Sequence, residues 1–233
     1  SGLIVIKIFQ SLKVKQKLKR RQIMTNQHFQ ILGTNIPKMV GREETLNQVW
    51  NNLTKPTPSH LSIIGARYSG KSVFIKTLEE KANKDNSSYG AVILWDLGKQ
   101  TPRSDQEFLK MMCARLGHGI KNLDGYYSDY LLKVDSDEYD ELREVIDALS
   151  GENHRVLMLW DGFDKPLGEG RLTRNLWDKL RELFSGSCLR LVTATRKPLQ
   201  ELIRDADSVT SDFWGIFDMT PIKLGIFNQR DRD

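Results

Sequence analysis

Gly65-Ala66-Arg67-Tyr68-Ser69-Gly70-Lys71-Ser72 fits the pattern G-x-x-x-x-G-K-[ST] at every fixed position. The residues before it, His60 to Ile64, read as a short strand, and Lys71 to Lys84 read as a helix. Strand, glycine-rich turn and helix in that order form a cradle for phosphate. Gly65 and Gly70 permit backbone conformations and a close approach that a Cβ would obstruct, so successive N–H groups can converge on phosphate oxygens. The helix N-terminus adds favourable partial charge. Lys71 is placed to reach the β- and γ-phosphates of ATP as a point charge, and the Ser72 hydroxyl to take one position on Mg²⁺. Ser69 and Val73 contribute backbone only, with Ala66, Arg67 and Tyr68 completing the loop.

Outward from this loop, strands and helices alternate. Glu43 to Leu53 carries Leu46, Val49, Trp50 and Leu53 at helical spacing, and the Pro/Ser/Thr-rich stretch Thr54 to Ser59 links that helix to the core. Tyr89 to Leu97 has an apolar run without strict alternation, as expected for a buried parallel strand. Ser104 and Glu107 form a capping box ahead of Phe108, Leu109, Met112 and Leu116, with Gly117 placed to end that helix. A further helix is expected near Asp137 to Leu149, while Asp124 to Ser136 reads as a polar surface excursion. Arg155 to Trp160 and Leu189 to Thr195 are strands, Thr173 to Phe184 is a helix, Pro198 opens another, and Phe217 to Ile226 is the last strand. Five strands separated by helices predict a parallel sheet covered on both faces.

The chemistry beyond the loop is sought at strand ends. Val156-Leu157-Met158-Leu159-Trp160-Asp161 is an apolar strand closed by a carboxylate, the form of a Walker B element, so Asp161 is expected to hold Mg²⁺ through water. Asp164, three residues on, is placed to orient or deprotonate an attacking water. At the end of a later strand, Thr195-Arg196 offers a guanidinium that can sense the γ-phosphate and stabilise its charge. Lys71, Asp161, Asp164 and Arg196 are the candidate catalytic set, and Ser72 and Asp161 the metal-side pair.

The chain of 233 residues is 39% hydrophobic, enough to fill one domain core. Its apolar runs are far shorter than a membrane span, and Cys113 and Cys188 lack the spacing of a zinc site or a disulfide framework, which points to a reducing cytoplasm. The formal charge of +5 is uneven: residues 1–23 hold seven basic residues and no acid, leaving 28 basic against 30 acidic residues elsewhere. That tail reads either as a basic amphipathic segment contacting phosphates or as a non-native leader, with Ser1-Gly2 as a tag remnant and Met24 as the natural start. With a slightly acidic body, nucleic acid is not expected as a partner, and neither is a membrane.

Val40-Gly41-Arg42-Glu43, the P-loop, Asp161-Gly162-Phe163-Asp164 and Thr195-Arg196 resemble, in order and spacing, the STAND family of signal-transduction ATPases. They are also similar to the neighbouring AAA+ group of origin-recognition ATPases. The resemblance covers Val40 to about Leu224. It implies a three-layer α/β/α P-loop NTPase fold with sheet order 5-1-4-3-2, and an adenine site at Val40, Gly41 and Arg42 made mostly by backbone. It further implies a regulatory ATP switch within a multidomain protein that self-assembles on activation. The expected organisation is a basic tail over 1–23, an N-terminal segment and helix over 24–59, and an NTPase core over 60–233, without the lid and winged-helix domains of the family. Two departures bear on activity: Lys165-Pro166 follows Asp164 where the relatives place further acids, so hydrolysis is expected to be slow, and no arginine finger is assignable, Arg171, Arg174, Arg181 and Arg190 being candidates by exclusion only. The alternatives are a DNA-linked AAA+ ATPase and a module that binds nucleotide without turning it over.

Overall fold

The computed structural model describes residues 39, 41–57, 59–85, 87–134, 138–218 and 220–225. The basic tail, Val40 and the end of the expected last strand lie outside them. Helix α1 (Glu43–Leu53) leads to β1 (Leu61–Ile64), the glycine-rich loop, α2 (Lys71–Lys84) and β2 (Ala91–Asp96). Then come α3 (Asp105–Gly119), α4 (Gly125–Leu132), α5 (Glu138–Gly151), β3 (Val156–Asp161), α6 (Asp164–Glu169), α7 (Arg174–Ser185) and β4 (Leu189–Thr195). Short helices α8 (Leu199–Leu202) and α9 (Ala206–Val209), a 3-10 turn (Asp212–Ile216) and β5 (Ile222–Lys223) complete the order.

The sheet runs β2-β3-β4-β1-β5 with every pairing parallel, which is the predicted order read from its other edge. Successive residues of a strand point to opposite faces. Leu157 and Leu159 therefore join α1 and α2 on one side, while Met158 and Trp160 join the helices α3, α5 and α7 on the other. Burial on both faces is why β3 reads as an apolar run up to its final carboxylate, and β4 is likewise buried along its whole length. Strand β2 differs: its burial alternates, because it is the edge strand and Val92 and Leu94 are only half covered.

Aromatic rings dominate the larger core. Trp95, Phe108, Trp160, Phe163, Trp177 and Phe184 form a chain of tilted and edge-on contacts with centroids 5.0–6.2 Å apart. Such pairs add about 0.5–1.5 kcal/mol each beyond their buried area. His60, at the foot of β1, stands edge-on to Phe184 and Phe217. Its Nδ1 accepts the Leu191 N–H at 3.0 Å, so the neutral ring carries its proton on Nε2 and donates to the Phe184 carbonyl at 2.9 Å. Burial, helped by the neighbouring Arg190 charge, pushes the His60 pKa down to about 4.

Several local expectations change. Helix α3 starts at the expected cap, with Glu107 N donating to Ser104 Oγ at 3.1 Å and Arg103 N to Glu107 Oε2 at 2.7 Å. It runs on to Gly119, however, because Gly117 is a contact point and not a terminus: a Cβ there would lie 3.0 Å from Leu132 Cγ and 3.1 Å from the Ser128 carbonyl of α4. The stretch read as a polar excursion holds α4, capped by Asp124 through the Tyr127 N–H at 3.0 Å and anchored by buried Leu131. The last strand shrinks to two residues, since Pro221 has no N–H to donate, and Phe217 makes only an isolated bridge to His60. Among the described residues both cysteines are free and buried, and no helix is long and apolar enough to cross a membrane.

Candidate nucleotide site

The candidate residues gather where the parallel strands end. Gly65 leaves β1 with its N–H on the Thr195 carbonyl at 3.1 Å, and the turn closes with Ser69 N on Ala66 O at 3.1 Å. A Cβ on Gly65 would fall 2.8 Å from the Leu224 carbonyl and against Ser69 Oγ, so the tight packing of the loop admits only glycine. Gly70, at φ 82°, turns the chain into α2, whose N-terminus has no side-chain cap. The first N–H groups of that helix lack intrahelical partners, which makes them donors for an anion. Tyr68 also has positive φ and is 88% exposed, with the Arg67 guanidinium 5.0 Å from its ring centroid. Lys71 Nζ donates to the carbonyls of Gly65 at 2.7 Å and Ala66 at 2.9 Å. Burial pushes its pKa down, with Asp164 and Asp161 pulling it back up and Arg196 opposing them.

Asp161 ends β3 beside α2. Burial pushes its carboxyl up, a hydrogen bond from the Ser72 hydroxyl pulls it down, and Asp96 pushes it up again. Asp164, first residue of α6, accepts from Arg196 through both oxygens: from the backbone N–H at 2.8 Å and from Nε at 3.1 Å. Its side chain is 12% exposed and that of Arg196 is 56% exposed. Lys71, Ser72, Asp161, Asp164 and Arg196 thus share one site, with Asp164 and Arg196 as an ion pair that sequence spacing does not reveal.

Ahead of α1, Gly41 and Arg42 both have positive φ, at 70° and 66°. The Arg42 guanidinium donates to Ser69 O at 2.5 Å and Gly225 O at 2.7 Å. Its side chain therefore ties the phosphate loop to the segment after β5, a role the expected backbone contact with adenine did not include. Among the arginines named by exclusion, Arg190 is buried and donates to the carbonyls of Gly186 and Leu189, Arg174 pairs with Asp178, and Arg171 with Glu169.

Asp96 escaped the sequence reading. Strand pairing sets Trp95 opposite Trp160 and Asp96 opposite Asp161. The signal was available, since Val92-Ile93-Leu94-Trp95-Asp96 has the same form as Leu157-Met158-Leu159-Trp160-Asp161. The loops after these strands touch: Gly162 has φ +67°, and a Cβ on it would lie 2.8 Å from Gly98 N.

No family model matches the sequence, and neither does any curated protein. Solved structures do resemble the fold. The Aeropyrum pernix ORC2 protein, in ADPNP-ADP complexes, superposes with a TM-score of 0.58 at 16% identity over 86% of this chain and 52% of that one. The Aeropyrum pernix ORC1 protein in complex with DNA gives 0.57 at 13% identity over 86% of this chain and 49% of that one. Drosophila ORC bound to DNA gives 0.54 at 15% identity over 81% of this chain and 43% of that one. The chain spans about half the length of these proteins. Two of them are DNA complexes, so the expectation that nucleic acid is no partner is withdrawn. That expectation rested on charge summed over the body, whereas DNA contact depends on the local basic face presented to phosphates. What the likeness shows is the fold, the three-layer α/β/α arrangement of a P-loop NTPase core.

Proposed function

We propose that the chain binds Mg²⁺-ATP and hydrolyses it slowly, as the nucleotide-switch domain of a larger multidomain signalling protein. The observation that carries the reading is the convergence of Lys71, Ser72, Asp161, Asp164 and Arg196 around the uncapped N-terminus of α2. Lys71 exchanges its bonds to Gly65 and Ala66 for phosphate oxygens, a swap between equivalent acceptors. Ser72 and Asp161 fit Mg²⁺: both offer hard oxygens, the Ser72 hydroxyl lies close enough to Asp161 to pull its pKa down, and this ion needs few protein ligands because phosphates and water supply the rest. When bound, the ion neutralises charge on the transferring phosphoryl group.

Arg196 exchanges Asp164 Oδ2 for the γ-phosphate, and the carboxylate oxygen so freed is available to orient the attacking water. Slow turnover follows from that order, since Asp164 is engaged until the guanidinium leaves. A second reading, a DNA-associated ATPase of the origin-recognition kind, is favoured by the fold likeness to two DNA-bound proteins. Titration with a fluorescent ATP analogue tests the common core: Lys71→Ala is expected to abolish binding with unchanged circular dichroism, and unchanged affinity refutes the site. Anisotropy with labelled duplex DNA, with and without ATP, separates the two readings. ATP-dependent DNA binding at physiological salt selects the second.

A further inference from the structure

Asp96 stands in register with Asp161 at the end of the adjacent strand, so about 4.8 Å separates the two backbones. The sequence Val-Ile-Leu-Trp-Asp on β2 and Leu-Met-Leu-Trp-Asp on β3 gives each strand the same finish: an indole buried in the core, then a carboxylate at the rim. Proximity of two carboxylates is unfavourable unless positive charge lies between or beside them. In this molecule that charge is Lys99, whose ammonium is 3.0 Å from Asp96 Oδ2 and which also feels the field of Asp161. The Lys99 backbone N–H bonds Asp96 Oδ1 at 3.0 Å, closing a tight turn. A tethered ammonium thus neutralises the acidic pair at the place where the Ser72 hydroxyl meets Asp161.

We propose that Asp96 is a second carboxylate of the cation site, holding a water of the divalent ion that binds at Ser72 and Asp161, with Lys99 as the resident counter-charge that the ion displaces. The inference rests on the Mg²⁺-ATP reading and extends it to a strand that reading does not use. Three features support it. Asp164 is already engaged by Arg196 through both oxygens, whereas among the described residues Asp96 is held by its own turn and by an exposed lysine. Mg²⁺ dehydrates reluctantly, so a carboxylate one water away is a normal part of its surroundings. The loop that carries Lys99 is fixed against the β3 loop, with Leu97 N on Asp161 O at 2.9 Å and Lys165 Nζ on Gly98 O at 3.3 Å, which holds Asp96 in place.

The test is calorimetry of the full chain with a non-hydrolysable ATP analogue, once in EDTA and once in excess Mg²⁺. The ratio of the two affinities isolates the contribution of the ion. Asp96→Asn keeps an oxygen for the turn but removes the charge, and is expected to lower that ratio about tenfold, as partners of ligated groups do. Lys99→Met, which removes the competitor, is expected to raise it about threefold, the scale of an exposed ion pair. An unchanged ratio in Asp96→Asn overturns the proposal, as does a loss seen in Asp96→Ala but not in Asp96→Asn, which assigns Asp96 to the turn alone. If the parent chain binds no nucleotide under either condition, the Mg²⁺-ATP reading falls and this inference falls with it. Binding without any Mg²⁺ dependence in the parent refutes the cation site while sparing the phosphate loop.

Discussion

Acidification should destabilise this fold through one residue, His60. Buried at the foot of β1, it bridges Leu191 N and Phe184 O only as the neutral Nε2–H tautomer. Protonation puts a second N–H against the Leu191 N–H and an unshared charge beside Arg190. The pKa falls from 6.5 to about 4 on folding, so between those values the unfolded chain holds a proton that the native chain does not. Stability therefore rises with pH across that window and is lost as pH falls from 6.5 toward 4. Linkage with these two values gives a loss of about 2 kcal/mol between pH 7 and pH 5, out of about 3 kcal/mol in total. With a urea dependence of about 2 kcal/mol per molar, the midpoint should move down by about 1 M. Asp161 acts in the opposite sense, its raised pKa giving back stability on acidification, and so the assay needs a reference. His60→Gln, which can still take the Leu191 N–H and donate to Phe184 O, supplies it. Urea melts of both proteins at pH 7 and pH 5 should show the parent losing about 2 kcal/mol more than the variant. Equal losses would refute the reasoning.

Other outcomes follow from the site. Gly65→Ala should weaken ATP binding at least tenfold and cost about 1–3 kcal/mol in thermal or urea unfolding, because its methyl meets the Leu224 carbonyl at 2.8 Å. Asp161→Asn should weaken only Mg²⁺-dependent nucleotide binding, whereas Asp164→Asn should leave ADP affinity near normal while lowering single-turnover hydrolysis, because the carboxylate proposed to orient the attacking water is lost. Hydrolysis at the parent rate in that variant would remove Asp164 from the proposed role with the attacking water. Ser104→Ala should cost about 1 kcal/mol in urea melts with unchanged nucleotide affinity, since it removes the acceptor of Glu107 N at the start of α3 and touches no residue of the candidate site.

The sequence made the skeleton legible where one physical signal dominated. Helices α1 and α2 and strand β4 fall on the residues their periodicity and apolar runs predict, because each buries a continuous stripe or both faces. Legibility failed where a residue serves a distant partner. Gly117 has the local look of a helix stop, but its use is set by Leu132 and Ser128 on another helix. Helix α4 hides because Tyr126, Tyr127 and Tyr130 dilute its apolar face, leaving Leu131 as its chief buried apolar anchor. The same distinction holds in the site. The phosphate loop is contiguous and could be read directly, whereas Asp164 with Arg196, and Asp96 with Asp161, are joined only by strand order.

The aromatic chain beneath the strand ends also gives the molecule an optical identity. Of its five tryptophans, Trp95, Trp160, Trp177 and Trp214 lie in one connected set of rings, and only Trp50 stands apart, beside Tyr89. Trp177 and Trp214 donate their indole protons to Ser208, while Trp95 and Trp160 are fully buried in the core. The last two are also the residues immediately before Asp96 and Asp161, and Phe163, in contact with Trp160, immediately precedes Asp164. Emission from this chain should therefore be a collective signal generated one residue from the candidate site, by buried fluorophores close enough for excitation to pass from ring to ring. Small displacements of the acidic rim should therefore register as spectral changes without any label.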